Sequence, residues 1–178
     1  MQTVIDFFGF TDPVSGIWNT VAYTAFIGII IGVLWERCRD ALITLGALAL
    51  ALYAGMFLHN PVFAALQALI VVSGLLKLAA SPKRVAMGIM IALTVAAYLS
   101  LALSGAIVDA WALVGSFGLL GIAFGLTVLP KNYGFLLMAA GGVLLIFYGF
   151  AVEAWVFFSL NIVFAIVSIR NWKKEQPP

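Results

Sequence analysis

Charge is what this chain has least of. Only 9% of its 178 residues are Asp, Glu, Lys or Arg, and 65% are hydrophobic. A soluble domain carries about 25% charged residues. Too little polar surface is available to coat a water-soluble globule, so that class is excluded. Cysteine is nearly absent: Cys38 stands alone, which excludes an intrachain disulfide. The single histidine, His59, and the single cysteine lie in different loops. They supply no metal-ligand set and no nucleophile–base pair. No glycine-rich loop with a lysine suits a phosphate. The sequence therefore predicts neither an enzyme nor a cofactor or metal site. Basic residues are missing from the first sixteen positions, which hold two acids, Asp6 and Asp12. A signal peptide has a basic start, so that pattern is not met.

What is present is long apolar runs. A helix needs about 20 apolar residues to cross the hydrocarbon core. Charged and turn residues cut this sequence into seven runs of about that size, over 18–35, 41–58, 62–80, 85–106, 111–129, 134–150 and 154–169. They are about twice the length of a membrane β-strand and do not alternate. The expected fold is an all-α polytopic membrane protein with seven transmembrane helices.

Charge placement supports that count independently. With seven spans, all nine Lys and Arg fall on one side: Arg37, Arg39, Lys77, Lys83, Arg84, Lys131, Arg170, Lys173 and Lys174. The other side holds Asp6, Asp12, His59, Asp109 and Glu153, with no cation. Basic loops stay in the cytoplasm. The expectation is an outer N-terminus, a cytoplasmic C-terminus and a place in the cell (inner) membrane. Trp18, Trp35, Trp111 and Trp155 fall at span ends and Trp172 just beyond the last, where indoles anchor at the interface.

The two halves share a pattern. At an offset of about 94 residues, Arg37 meets Lys131, Gly55 meets Gly149 and Gln67 meets Asn161. At 93, Gly28 and Gly32 meet Gly121 and Gly125, so one residue is inserted between. This predicts a three-helix unit used twice, over 18–80 and 111–169, with 85–106 as a linker helix. An N-terminal outer segment, 1–17, and a basic tail, 170–178, flank them. One linker helix restores direction, so the repeats are parallel. Such repeats place a solute site near the midplane at their interface.

The terminal pattern of Tyr148-Gly149 followed by Asn161, with the three-plus-one-plus-three order, resembles the SWEET and SemiSWEET sugar-transporter superfamily. The last 45 or so residues resemble PnuC-type vitamin transporters more closely. They read Lys131-Asn132-Tyr133-Gly134, then Ala139-Ala140-Gly141-Gly142, then Asn161, then Arg170-Asn171-Trp172. The chain departs from PQ-loop relatives in having Lys131 after Pro130. Its first half has Gln67 as the amide and Tyr53-Ala54-Gly55 in place of Tyr-Gly. The resemblance implies that Asn161 faces a central cavity and hydrogen-bonds a solute, with Gln67 across the pseudo-twofold axis.

Polar groups inside a bilayer are costly unless satisfied. An amide offers donors and acceptors together, so Asn161 and Gln67 suit a neutral hydroxylated or amide-bearing solute. They equally suit helix-to-helix glue. Tyr53 and Tyr148 either bracket a pocket or anchor near the interface. Asn19, Thr20, Tyr23 and Thr24 either line an outer vestibule or cap and hydrate a helix start. Gly28, Gly32, Gly121 and Gly125 are expected at close helix contacts. No span carries an acid or base near its centre, which favours passive diffusion over ion coupling. The expected function is a facilitator of a small neutral polar solute (a vitamin precursor, nucleoside or sugar). Its partners would be that solute and membrane lipid, with no nucleic acid; a homo-oligomer is compatible with the same reading. The alternative is a non-transporting subunit or scaffold that binds another membrane protein or lipid.

Overall fold

The computed structural model describes residues 12–34, 36–107, 109–128 and 132–174. Trp35, Lys131 and Asp6, to which the sequence assigns topological roles, lie outside the described residues. The helices are α1 (Pro13–Leu34), α2 (Arg39–Leu52), α3 (Pro61–Leu78), α4 (Lys83–Leu103), α5 (Ala110–Val128), α6 (Asn132–Ala151) and α7 (Trp155–Lys174). A 3-10 turn, Glu36–Cys38, precedes α2, and a π-helix, Tyr53–Phe57, continues it. No strand occurs among the described residues.

Six of these segments are long and apolar enough to cross a membrane: Pro13–Gly32, Arg39–Phe57, Pro61–Leu78, Lys83–Leu103, Tyr133–Ala151 and Trp155–Lys174. The seventh, Ala110–Gly125, is apolar but shorter. This is the build of a multi-pass helical membrane protein. Apolar side chains cover the outside. On α4, Val85, Ile89, Leu99 and Leu103 are all exposed, which suits acyl chains rather than water.

Helix ends differ from the hydropathy reading for local reasons. α1 begins five residues before Trp18, at Pro13. Proline is favoured at the first helical position. Asp12 caps it, accepting from the Val14 and Ser15 amides at 2.9 and 3.0 Å. Ser15 returns the favour by accepting from the Asp12 amide at 3.0 Å, a reciprocal cap. Asp109 caps α5 through the Ala112 amide at 2.6 Å, and Asn60 caps α3 through the Phe63 amide at 3.0 Å. Two acids on the predicted outer side are thus helix caps. α7 runs on past Ile169 through Arg170 to Lys174, since cations suit a helix C-terminus.

The chain divides into two compact units, one ending at Leu78 and the other starting at Ala79. In the first, α1 packs on α2 and α2 on α3. The α1–α2 register is antiparallel. Gly32 abuts Leu42 and the Arg39 carbonyl, Gly46 abuts Ile29 and the Ala25 carbonyl, and Tyr53 meets Asn19. Between α2 and α3 a Cβ on Gly74 would collide with the Thr44 hydroxyl, so the pair is tight toward the basic end, near Arg39 and Lys77. Gly55 is exposed, and a Cβ there would meet only Ala64, at 3.9 Å.

In the second unit α4 packs on α5, α5 on α6 and α6 on α7. The α5–α6 contact is made largely through glycine. A Cβ on Gly141 would lie 2.6 Å from the Gly118 oxygen and 2.7 Å from the Ile122 nitrogen. One on Gly121 would lie 2.9 Å from the Gly141 Cα, and one on Gly125 would lie 2.7 Å from the Gly134 oxygen. Gly32, Gly121 and Gly125 thus sit at close helix contacts. Gly28 does not: an added Cβ there meets nothing within 4 Å. Equal spacing put Gly28 in the same class, but spacing does not say which face a helix packs.

Candidate functional site

The buried polar residues fall in both units. In the first, Asn19, Thr44 and Gln67 are buried. The Tyr53 hydroxyl donates to the Asn19 side-chain oxygen at 2.5 Å, across 34 residues of sequence. Both groups are buried, so this bond joins α1 to the end of α2 inside the unit. Tyr23, one turn further along α1 and half-buried, is an electrostatic neighbour of Tyr53. Thr20 and Thr24 are exposed, and Thr20 donates to the Gly16 carbonyl at 2.7 Å. Of the four polar residues at the start of α1, Asn19 thus turns inward and Tyr23 lies beside Tyr53. The capping alternative falls instead to Asp12 and Ser15.

Tyr53 continues α2, its amide donating to the Ala49 carbonyl, and its own carbonyl opens the π-helix. The Leu58 amide donates to the Tyr53 carbonyl at 3.0 Å, a bond across five residues rather than four. Tyr53 stacks on Phe57 with centroids 5.4 Å apart, and Phe57 stacks on Trp18 at 6.2 Å. Single π-turns inside α-helices occur often at functional sites. No proline lies in 52–60 to cause this one. The sequence carries a signal for it: Tyr53-Ala54-Gly55 has one more residue than Tyr148-Gly149. Both turns that follow hold a non-glycine residue in the left-handed region, His59 at φ 49° and Glu153 at φ 55°.

Gln67 lies on α3, seven residues before Gly74 and on the same face, which packs on α2. It is only 1% exposed, and neither its Nε2 nor its Oε1 has a hydrogen-bond partner. Buried polar groups without partners are rare and each needs an explanation.

The second unit treats its polar residues differently. Asn161 is buried on α7 and donates from Nδ2 to the Phe157 carbonyl at 2.8 Å. Ser116 and Thr94 are fully buried and donate to Leu113 and Met90 carbonyls at 2.8 and 2.7 Å. These are turns of a helix bonding to themselves. Tyr148 is buried with its ring against Gly115, where a Cβ would lie 2.7 Å from ring carbons. A Cβ on Gly149 would lie 3.1 Å from the Phe158 backbone nitrogen. At that end Phe150, Trp155 and Phe158 form a mutual aromatic cluster with centroids 5.9–6.1 Å apart.

The six residues expected to contact a solute are therefore distributed as two sets. Asn19, Tyr23, Tyr53 and Gln67 belong to the first unit, and Tyr148 and Asn161 to the second. The Asn19–Tyr53 bond was not legible in the sequence, because no local motif links positions so far apart. Among the described residues, no group of three or more His, Cys, Asp or Glu is placed to hold a metal ion. No protein-family model matches the chain, and neither a curated protein nor a solved structure matches it.

Proposed function

We propose that this protein is a membrane facilitator of a small neutral polar solute, working by alternating access between two three-helix repeats, α1–α3 and α5–α7. The observation that carries the reading is the retention of two buried amides, Gln67 and Asn161, at corresponding places in otherwise apolar spans. A buried amide costs free energy to desolvate, and a solute that bonds it offsets that cost. Other features support the repeat. Each unit packs its helices consecutively. His59 and Glu153, both left-handed, stand at the 94-residue offset that relates Gln67 to Asn161. In this reading the N-terminus is outside, and the cations mark the cytoplasmic face. Span centres without Asp, Glu, Lys or Arg favour uniport.

The test is counterflow in proteoliposomes against a panel of nucleosides, vitamin precursors and sugars. The expected result is uptake of one class, lost in Asn161→Ala while insertion and folding are kept. Failure of every class to exchange refutes the facilitator. A second reading has its own support. The Asn161 amide already bonds its own helix at Phe157, as a purely structural amide would. Under that reading the protein is a non-transporting subunit, and it co-purifies with a membrane partner.

A further inference from the structure

Gln67 stands apart from the other buried polar side chains. Asn19 is bonded by Tyr53, and Thr44, Thr94, Ser116 and Asn161 all donate to carbonyls within their own helices. Gln67 alone among them leaves a complete amide, donor and acceptor, without a protein partner. The two amides that the repeat pairs are therefore not equivalent.

Its surroundings are apolar and rich in small residues. Gly74 against Thr44 and Ala64 against Gly55 fix the α2–α3 register. Gln67 falls between these contacts, level with Ala51 and Leu52. The α2 wall here is alanine-rich: Ala47, Ala51 and Ala54. On the far side of α2, Asn19 pairs with Tyr53 and Ala25 with Gly46. That register brings Tyr23 level with Leu48 and Ala49, nearer the basic end than Gln67. The π-helix, which touches both α1 and α3, lies one turn further out.

We infer that Gln67 anchors a binding site in the first unit for a neutral solute bearing an amide-type edge, an N–H donor beside a C=O acceptor. Lactams, carboxamides and pyrimidinones carry that edge. It meets the Gln67 donor and acceptor at once by two parallel bonds, which a single hydroxyl does not. A charged solute is disfavoured, since no residue from Ala41 to Leu58 or from Pro61 to Leu76 is acidic or basic and an uncompensated ion is costly to desolvate. The inference rests on the solute-binding part of the proposed function and does not need Asn161.

The test uses the full-length purified protein. Thermal unfolding is followed with uracil or benzamide, which carry the edge. The controls are 1,3-dimethyluracil, which keeps the carbonyls but has no N–H, and glucose. Ligand that binds only the folded state raises the midpoint. Uracil or benzamide should raise it, and neither control should. Gln67→Met, similar in size and apolar, should weaken that response by about tenfold or more, the loss of two hydrogen bonds. The same variant should unfold at a higher temperature than the parent without ligand, because an unpaired buried amide has been removed. A structural amide predicts the reverse sign. The proposal is overturned by an equal response to glucose or 1,3-dimethyluracil, by a response that survives Gln67→Met, by a Gln67→Met variant of lowered stability, or by no response to either amide probe. Counterflow separates the two claims. Uracil that binds through Gln67 while no solute class exchanges keeps the site and removes the facilitator. Exchange of another solute that survives Gln67→Met keeps the facilitator and removes the site.

Discussion

Gly141→Ala and Gly28→Ala form a matched pair whose effects should have opposite signs. Both add one methyl to a helix. Both gain helix propensity, worth about 0.5–1 kcal/mol for Gly→Ala. At Gly28 nothing lies within 4 Å of the new Cβ, so that gain stands alone. At Gly141 the new Cβ lies 2.6 Å from the Gly118 oxygen, 2.7 Å from the Ile122 nitrogen and 3.0 Å from the Gly121 carbonyl carbon. All three are backbone atoms and have no rotamer to change. Ordinary contact begins at about 3.4 Å, so α5 must withdraw by roughly 0.8 Å, enough to forfeit a quarter to a half of each neighbouring dispersion contact. That withdrawal loosens Gly118 against Leu145 and Gly115 against Tyr148 as well. Overpacking of this kind costs about 1–3 kcal/mol, which exceeds the propensity gain. Reversible unfolding in mixed micelles, read by helical circular dichroism, measures both. Gly141→Ala should lower the folding constant by about tenfold and Gly28→Ala should raise it by a few-fold, at about 1.4 kcal/mol per decade. Equal shifts, or a stabilised Gly141→Ala, would refute the packing described for α5 and α6.

Two further outcomes are expected. Gly74→Ala should destabilise by about 1–3 kcal/mol, because its methyl meets the Thr44 hydroxyl. Thr44→Ala in the same chain should restore most of that loss, and a double-mutant cycle showing additivity would contradict the contact. Deletion of Ala54 should convert the π-helix to an α-helix, keep the fold and part the Phe57 ring from Tyr53 and Trp18. Near-ultraviolet circular dichroism should then change while far-ultraviolet helicity does not. An unchanged aromatic spectrum would separate the π-helix from that stack.

The membrane-spanning helices were legible because the lipid solvent imposes a length and a polarity on each run. Their ends were less so. Trp18 marked an apolar run, whereas Asp12 and Pro13 mark where α1 begins. The capping signal was present but hydropathy does not weigh it. Gln67 and Asn161 stood out in sequence as amides among apolar residues, and both are buried. Which of them is bonded could not be read, since that depends on side-chain geometry along a helix. The π-helix left only one trace, the extra residue between Tyr53 and Gly55. Gly28 and Gly121 carry the same spacing to their partners at Gly32 and Gly125, yet only one of the two faces another backbone.

The glycine seam between α5 and α6 has a mechanical meaning. Where side chains separate two helices, rotamer changes let one slide on the other. Along this seam, carbonyl oxygens and Cα atoms meet with no such cushion, and weak Cα–H···O attractions are favoured at that distance. Sliding by even a fraction of a residue would drive backbone into backbone. Whatever shape changes the protein undergoes, α5 and α6 must travel through them as a single rod. Flexure is left to the helix pairs that touch through side chains.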